Sequence, residues 1–191
     1  ASGNATFNGT MMTAIGRSCL ALFMFCVGYS LAFSHRQGMN WRKFWQRWLK
    51  LAAAAALVSI ATYITYPGYW IYFGILHCIA LTSLLALPLL PFPKLALVLG
   101  LAMLFAYAGL DITISLPFSL FERPSLDFIP PYPWSWAALV GIGAHHMRLH
   151  EKIRPPYHAT IAWFSQHSLL IYLIHQPILL AMAYLLWRII G

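Results

Sequence analysis

Apolar residues in this chain come in long, nearly unbroken runs, and the polar residues are gathered into short segments between them. Neither a period of two nor a narrow stripe of period 3.6 dominates, so the pattern is that of helices wetted on no side. A run of about 20 apolar residues covers a hydrocarbon core of about 30 Å as a helix. Six stretches qualify or nearly qualify: 12–33, 49–66, 70–90, 95–110, 132–149 and 168–190. Proline clusters punctuate them, with Pro88, Pro91 and Pro93 after the third, Pro130, Pro131 and Pro133 before the fifth, and Pro155 and Pro156 before the sixth. Proline lacks the N–H donor and clashes with the preceding turn, so it marks helix ends. The expected fold is all-α: a polytopic transmembrane bundle of about six spans, with residues 1–191 forming one integral membrane domain.

Composition makes a water-soluble alternative untenable. Apolar and aromatic residues make up 61% of the 191 positions and charged residues only 8%, against about 25% in a soluble domain. The net charge of +8 would suggest nucleic acid in a soluble chain, but here it follows the loops. Arg36, Arg42, Lys43, Arg47 and Lys50 fall in the first connection, Lys94 in the third, and Arg148, Lys152 and Arg154 in the fifth. The second connection has no basic residue and the fourth has only Arg123, beside Asp111, Glu122 and Asp127. The positive-inside rule then puts the odd loops in the cytoplasm and both ends of the chain outside. Nucleic acid is excluded as a partner. Membrane lipids are expected, and a second copy of the chain is admitted.

The first residues carry no basic, apolar leader, and an outward N-terminus without one implies an additional upstream span. The sequons at Asn4 and Asn8 would face outward, and such short matches arise by chance. Cys19, Cys26 and Cys78 all lie in apolar runs, which fits small buried residues better than disulfide partners.

Ionisable groups inside spans are costly, roughly 2.5 kcal/mol or more on insertion scales, so each is a functional candidate. His77 lies about seven residues below the outer end of the third span, and His175 about seven above the inner end of the sixth. The two imidazoles would sit about 10 Å apart in depth, where they could relay a proton or serve two ends of a bound substrate. Each could equally hydrogen-bond a neighbouring helix. Gln176 and Pro177 after His175 favour a polar cavity there, since proline frees a carbonyl one turn back. Gln176, Tyr72 and Arg17 are the substrate-contact candidates; a simple outward reach to headgroups also accounts for Arg17. His145, His146 and His150 have partial metal-ligand spacing but lack companion ligands, and a hydrated basic rim explains them better, so no metal is expected. Arg42, Arg47, Arg148 and Arg154 are candidates for holding a phosphate-bearing ligand at the inner face, although the charge rule alone would also place them there.

Three ordered segments carry a family resemblance. They are Phe25-Cys26-Val27-Gly28-Tyr29-Ser30-Leu31-Ala32 before a basic loop, Trp70-Ile71-Tyr72-Phe73-Gly74-Ile75-Leu76-His77-Cys78-Ile79-Ala80, and a third set. That set joins Pro131-Tyr132-Pro133-Trp134 and Gly141-Ile142-Gly143 to Ser168-Leu169-Leu170-Ile171-Tyr172-Leu173-Ile174-His175-Gln176-Pro177. Together they resemble the bacterial branch of the heparan-alpha-glucosaminide N-acetyltransferase catalytic-domain family, over nearly the whole chain.

The resemblance implies a bacterial inner-membrane acyltransferase that passes an acyl group from cytoplasmic acetyl-CoA or another acyl-CoA to an amine or hydroxyl of an extracytoplasmic sugar. It also implies that the family's acyl-accepting histidine lies upstream of residue 1, while His175 matches the family's histidine in the last span. His77 sits where the bacterial branch has a polar residue. Two other readings stay open from the residues alone: a small-solute or proton-coupled transporter, which usually shows an internal repeat that is not visible here, and a non-catalytic membrane subunit.

Overall fold

A computed structural model describes residues 2–36, 38–65, 68–110, 125 and 127–147, with side chains from Met11 onward except Met12. Among the described residues the chain is helical, without strands, in the order α1 (Ser2–Ser34), α2 (Trp41–Thr65), α3 (Ile75–Ala86), α4 (Pro93–Gly109) and α5 (Pro131–His146). The expected sixth stretch, 168–190, lies outside them, as do the last residues of the fifth.

The helix ends follow from local chemistry. After α1 the chain reverses through Gly38, whose φ of +113° is a conformation that side chains rarely adopt. Asn40 then caps α2, its Oδ1 accepting the Lys43 N–H at 3.1 Å. This cap starts α2 eight residues earlier than the apolar run at 49–66 suggests. Arg42, Lys43, Arg47 and Lys50 are therefore helical and not in a loop, and Phe44, Trp45 and Trp48 meet edge to face among them. At the other end, residues 70–74 are not helical and bend at Tyr72 and Phe73. The Ile71 N–H bonds the Thr62 hydroxyl at 3.1 Å and its carbonyl accepts from Ser59 at 2.7 Å, so α3 begins only after Gly74. Pro88 closes α3 in a short 3-10 turn, Leu87–Leu89, and Pro93 opens α4.

The central helix is α5, flanked by α1 on one side and α4 on the other, with α3 touching α1, α2 and α5. Its contact faces are made of small residues: Ala137, Ala138, Gly141, Gly143 and Ala144 are all buried. A Cβ on Gly28 of α1 would overlap the Ala138 carbonyl, and one on Gly141 would overlap the Phe25 carbonyl. The two backbones cross in direct contact, which is the way helices associate where water supplies no hydrophobic drive. On the other side, a Cβ on Gly100 of α4 would come within 2.9 Å of the Trp136 carbonyl.

Large apolar side chains point outward from the bundle. Leu22, Ile64 and Phe105 are 65%, 72% and 64% exposed. Wetting such groups would forfeit about 1.5–3 kcal/mol each, and lipid removes that cost. The segments Thr13–Ser34 and Trp41–Thr65 are long and apolar enough to cross a bilayer, and Ile75–Leu89 and Pro93–Gly109 are shorter apolar helices. The chain is a helical membrane protein.

The α1–α5 crossing generates a direct test. Gly141→Leu should cut the yield of folded protein and lower the melting temperature in detergent, since overpacking costs about 1–3 kcal/mol or more. Gly16→Leu, at a position with nothing within 4 Å, should leave both unchanged. Equal tolerance of the two substitutions would remove the crossing as a constraint.

Candidate functional site

Two features of the fold hold the chemically active side chains, and both are built on α3. The larger is a cavity of about 770 Å³ between α1 and α2, backed by α3. One face of α1 lines it with Phe23, Cys26, Val27, Ser30, Leu31 and Ser34, a helical spacing of three and four. The matching face of α2 is Lys43, Phe44, Arg47, Trp48 and Leu51, and α3 gives Ile79 and Ser83. The Trp48 indole donates to the Ala80 carbonyl at 3.0 Å, which ties α2 to α3 along this wall.

The cavity is strongly graded. His35, Arg36, Asn40, Lys43 and Arg47 lie toward the α1–α2 turn, while Phe23, Val27 and Leu51 lie farther from it along α1 and α2. Among the described residues no acid lines it. The His35 ring is fixed by its Nδ1 at 2.8 Å from the Leu31 carbonyl and by an edge contact with Phe44. Ser83 gives its hydrogen to the Ile79 carbonyl at 2.7 Å, and its oxygen retains the capacity to accept.

The smaller feature is a hydrogen-bonded knot near the start of α3. The Gly74 N–H donates to His77 Nδ1 at 3.3 Å, so that nitrogen carries the lone pair and the proton resides on Nε2. Nε2 faces the Ser59 hydroxyl oxygen at 3.3 Å, and Ser59 passes its own hydrogen to Ile71. Both ring nitrogens of His77 are thus engaged within the chain, in the neutral form, and the imidazole links α2, the 70–74 segment and α3. Asp127 closes the knot from the segment before α5. Its carboxylate accepts from the Ile75 N–H at the α3 N-terminus, where a helix favours negative charge. Burial nevertheless wins and pushes the Asp127 carboxyl above its ordinary value, the backbone bond offsetting only part of the shift. Neighbouring bonds run from Ile129 N–H to the Phe73 carbonyl at 3.2 Å and from Ser125 to the Trp70 carbonyl at 3.2 Å. Between His77 and Asp127 lies a crevice of about 10 Å³, the room of one water molecule.

The structure distributes the sequence candidates unevenly. Arg47 lines the large cavity; Arg42 does not, because it lies about 100° around α2 from Lys43. His77 belongs to the knot, and Tyr72 packs on Trp70 and Phe128 beside it, with ring centroids 6.0 and 5.6 Å apart. Arg17 is exposed on α1 and lines neither feature. His175, Gln176, Arg148 and Arg154 lie outside the described residues. Sequence reasoning did not single out Ser59, His35 or Asp127. The Lys43, Arg47, Leu51 spacing could have revealed the cavity face of α2. No local signal joins Asp127 to an N–H more than fifty residues earlier. Among the described residues no group of three His, Cys, Asp or Glu side chains is placed to hold a metal.

The knot has a signed pH dependence. A carboxyl with a raised value in the folded state binds more protons than the unfolded chain does just above the ordinary carboxylate range. Stability of this region is therefore greatest in mild acid and falls as pH rises through the raised Asp127 value. Thermal unfolding measured from pH 4 to 8 should show this decline, and Asp127→Asn should flatten it. An unchanged slope in Asp127→Asn would assign the dependence to other groups.

Comparison with known proteins identifies the lineage of this architecture. No curated protein and no solved structure matches the chain. A family model does: the catalytic domain of heparan-alpha-glucosaminide N-acetyltransferase matches residues 3–177, a stretch that includes the cavity, the knot and the α1–α5 crossing. The match covers most of the chain, which belongs to the heparan-alpha-glucosaminide N-acetyltransferase catalytic-domain family of membrane acetyltransferase-like proteins.

Proposed function

We propose that this protein transfers an acetyl group from cytoplasmic acetyl-CoA to an amine or hydroxyl of a sugar on the opposite side of a bacterial inner membrane, within a six-span bundle whose ends face outward. Acetyl-CoA is the donor used by acetyltransferases of this family. The observation that carries the reading here is the graded cavity, basic at one end and apolar at the other.

The dimensions support that donor. From Lys43 to Leu51 the α2 wall rises about 12 Å, and from Ser34 to Phe23 the α1 wall rises about 17 Å. The arm of CoA between its pyrophosphate and its sulfur has about 13 bonds, or about 15 Å extended at the reach of a backbone-like chain. Phosphates held by Arg36, Lys43 and Arg47 therefore set the thioester near Ile79, and Ser30 and Ser83 flank the amide-bearing arm. His77 lies two residues before Ile79, toward the other end of α3, so the knot adjoins the inner end of the cavity. In the transfer the thioester carbon–sulfur bond breaks, CoA leaves as the thiolate, and the acceptor gains the acetyl group and loses a proton. His175 and His77 are proposed to line the route, His77 as a tethered neutral imidazole that holds α2 and α3 in register. Arg148 and Arg154 are proposed to add to the phosphate-binding charge, and Gln176 and Tyr72 to meet the acceptor.

Cys26 provides the test, because it is exposed and lines the cavity while Cys78 is buried. Acetyl-CoA should slow alkylation of Cys26 by a maleimide in membranes carrying the protein. Cys19, seven residues away on α1 and outside the cavity, should be unaffected. The Lys43→Ala, Arg47→Ala double variant should need about tenfold more acetyl-CoA for the same protection, about 1.4 kcal/mol for two partly solvated contacts. Alkylation of Cys26 at an unchanged rate under saturating acetyl-CoA would refute the donor site.

A further inference from the structure

The cavity between α1 and α2 is backed by helix packing on one side only. α3 touches both helices, but α1 and α2 have no packing interface with each other beyond the turn that joins them. Phe23, Cys26, Ser30 and Phe33, which line the cavity from α1, are exposed. Among the described residues the side away from α3 is therefore open, and in a membrane protein it opens on lipid. The basic end of this opening lies at a membrane surface. The candidate span of α1 ends at Ser34 and that of α2 begins at Trp41, with Arg36 between them and Lys43 just after. The 25 residues of α2 rise about 37 Å, longer than a hydrocarbon core of about 30 Å, so its first turns stand among headgroups. Trp41 and Trp45, 55% and 43% exposed, mark that level as interfacial tryptophans do. Arg47 is one turn deeper and reaches back along its aliphatic stem.

We propose that the opening is a docking site for an anionic phospholipid, its phosphate on Arg36, Lys43 and Arg47 and one acyl chain laid along Val27, Leu31 and Leu51. Length and charge both fit. From Ser34 to Phe23 the apolar wall of α1 rises about 17 Å, close to the 15 Å or so of one leaflet. Three cations line the mouth and, among the described residues, no acid does. A zwitterionic lipid would bring a cation of its own to that cluster, whereas phosphatidylglycerol brings a net negative charge, so the site prefers the second. Basic pockets between spans at a membrane surface hold anionic headgroups in this way. The lipid site stands apart from the donor reading above. If both hold, lipid and acetyl-CoA share Lys43 and Arg47 and exclude one another, which makes the anionic lipid of the bilayer a competitor of the donor.

Photo-crosslinking of the full chain, without CoA, tests the site. Vesicles of equal parts phosphatidylglycerol and phosphatidylcholine carry a trace of one lipid or the other with a diazirine in the same acyl chain, and labelled positions are read by peptide mass spectrometry. At Val27, Leu31 and Leu51 phosphatidylglycerol should label at least about fivefold more than phosphatidylcholine, the weight of one basic residue beside an anionic lipid. At Leu101 and Phe105, exposed on α4 away from the cavity, the two lipids should label equally. The Lys43→Ala, Arg47→Ala double variant should bring the cavity ratio to that of α4, and unchanged labelling of α4 shows that the variant is folded and inserted. Arg42→Ala, Lys50→Ala removes the same charge from α2 outside the cavity and should keep the preference. Equal labelling by both lipids in the native protein would overturn the proposal. So would an equal loss in the two double variants, which would assign the preference to general surface charge. Labelling of α4 with none at Val27 and Leu31 would mean that protein covers the opening, and would overturn it too. A phosphatidylglycerol preference that saturating acetyl-CoA leaves unchanged would uphold the lipid site and count against the donor reading alone.

Discussion

The direct backbone contact of α1 and α5 is the constraint on which the rest of the molecule depends. Gly28 and Gly141 each lie where a carbonyl of the opposite helix leaves no room for a side chain. With that crossing fixed, one face of α1 is committed to α5, and the face carrying Phe23, Cys26, Val27 and Ser30 is turned to the cavity. In a bilayer this contact draws on packing and not on the release of water, so close fit decides it. Larger apolar residues at position 28 of α1 or position 141 of α5 would preserve the hydropathy of either helix and lose the crossing.

The cavity exists because α2 is held to α3 and not against α1. Trp48 donates to Ala80, and Ser59 bonds Ile71 and faces His77, so α2 is pinned along its length to the α3 side. The turn through Gly38 and the Asn40 cap then set where α2 begins, and with it the height of Lys43 and Arg47 at the mouth. Local caps and a few interhelical bonds thus convert a basic segment into a charged entrance above an apolar floor. The same bonds use up both nitrogens of His77, which makes it a structural neighbour of the proposed route.

Much of this was legible from residue order alone. The apolar runs located all five helices, although α1 begins at Ser2, ten residues before its run. The departures have specific causes. At Trp41 an asparagine cap and a run of aromatic residues extend a helix into a charged stretch that hydropathy reads as loop. At Trp70 to Gly74 hydrogen bonds to Ser59, Thr62 and Ile129 hold a non-helical segment that hydropathy reads as helix. Hydropathy measures the environment of a residue, and backbone partners decide its conformation.

The sequence by itself determined that this chain is helical, apolar on most of its surface and sorted in charge, because those properties are sums over many residues and tolerate local error. It also carried the order of motifs by which the family is recognised. Only the tertiary structure decided which charges face one space. Arg47 and Lys43 meet His35 and Arg36 across the α1–α2 turn while Arg42, one residue away, does not. Only the structure joined Asp127 to the first N–H of α3 and brought Ile79 and Ser83 of α3 to the cavity. Those relations depend on helix rotation and on contacts between distant segments, and a linear pattern holds no record of either.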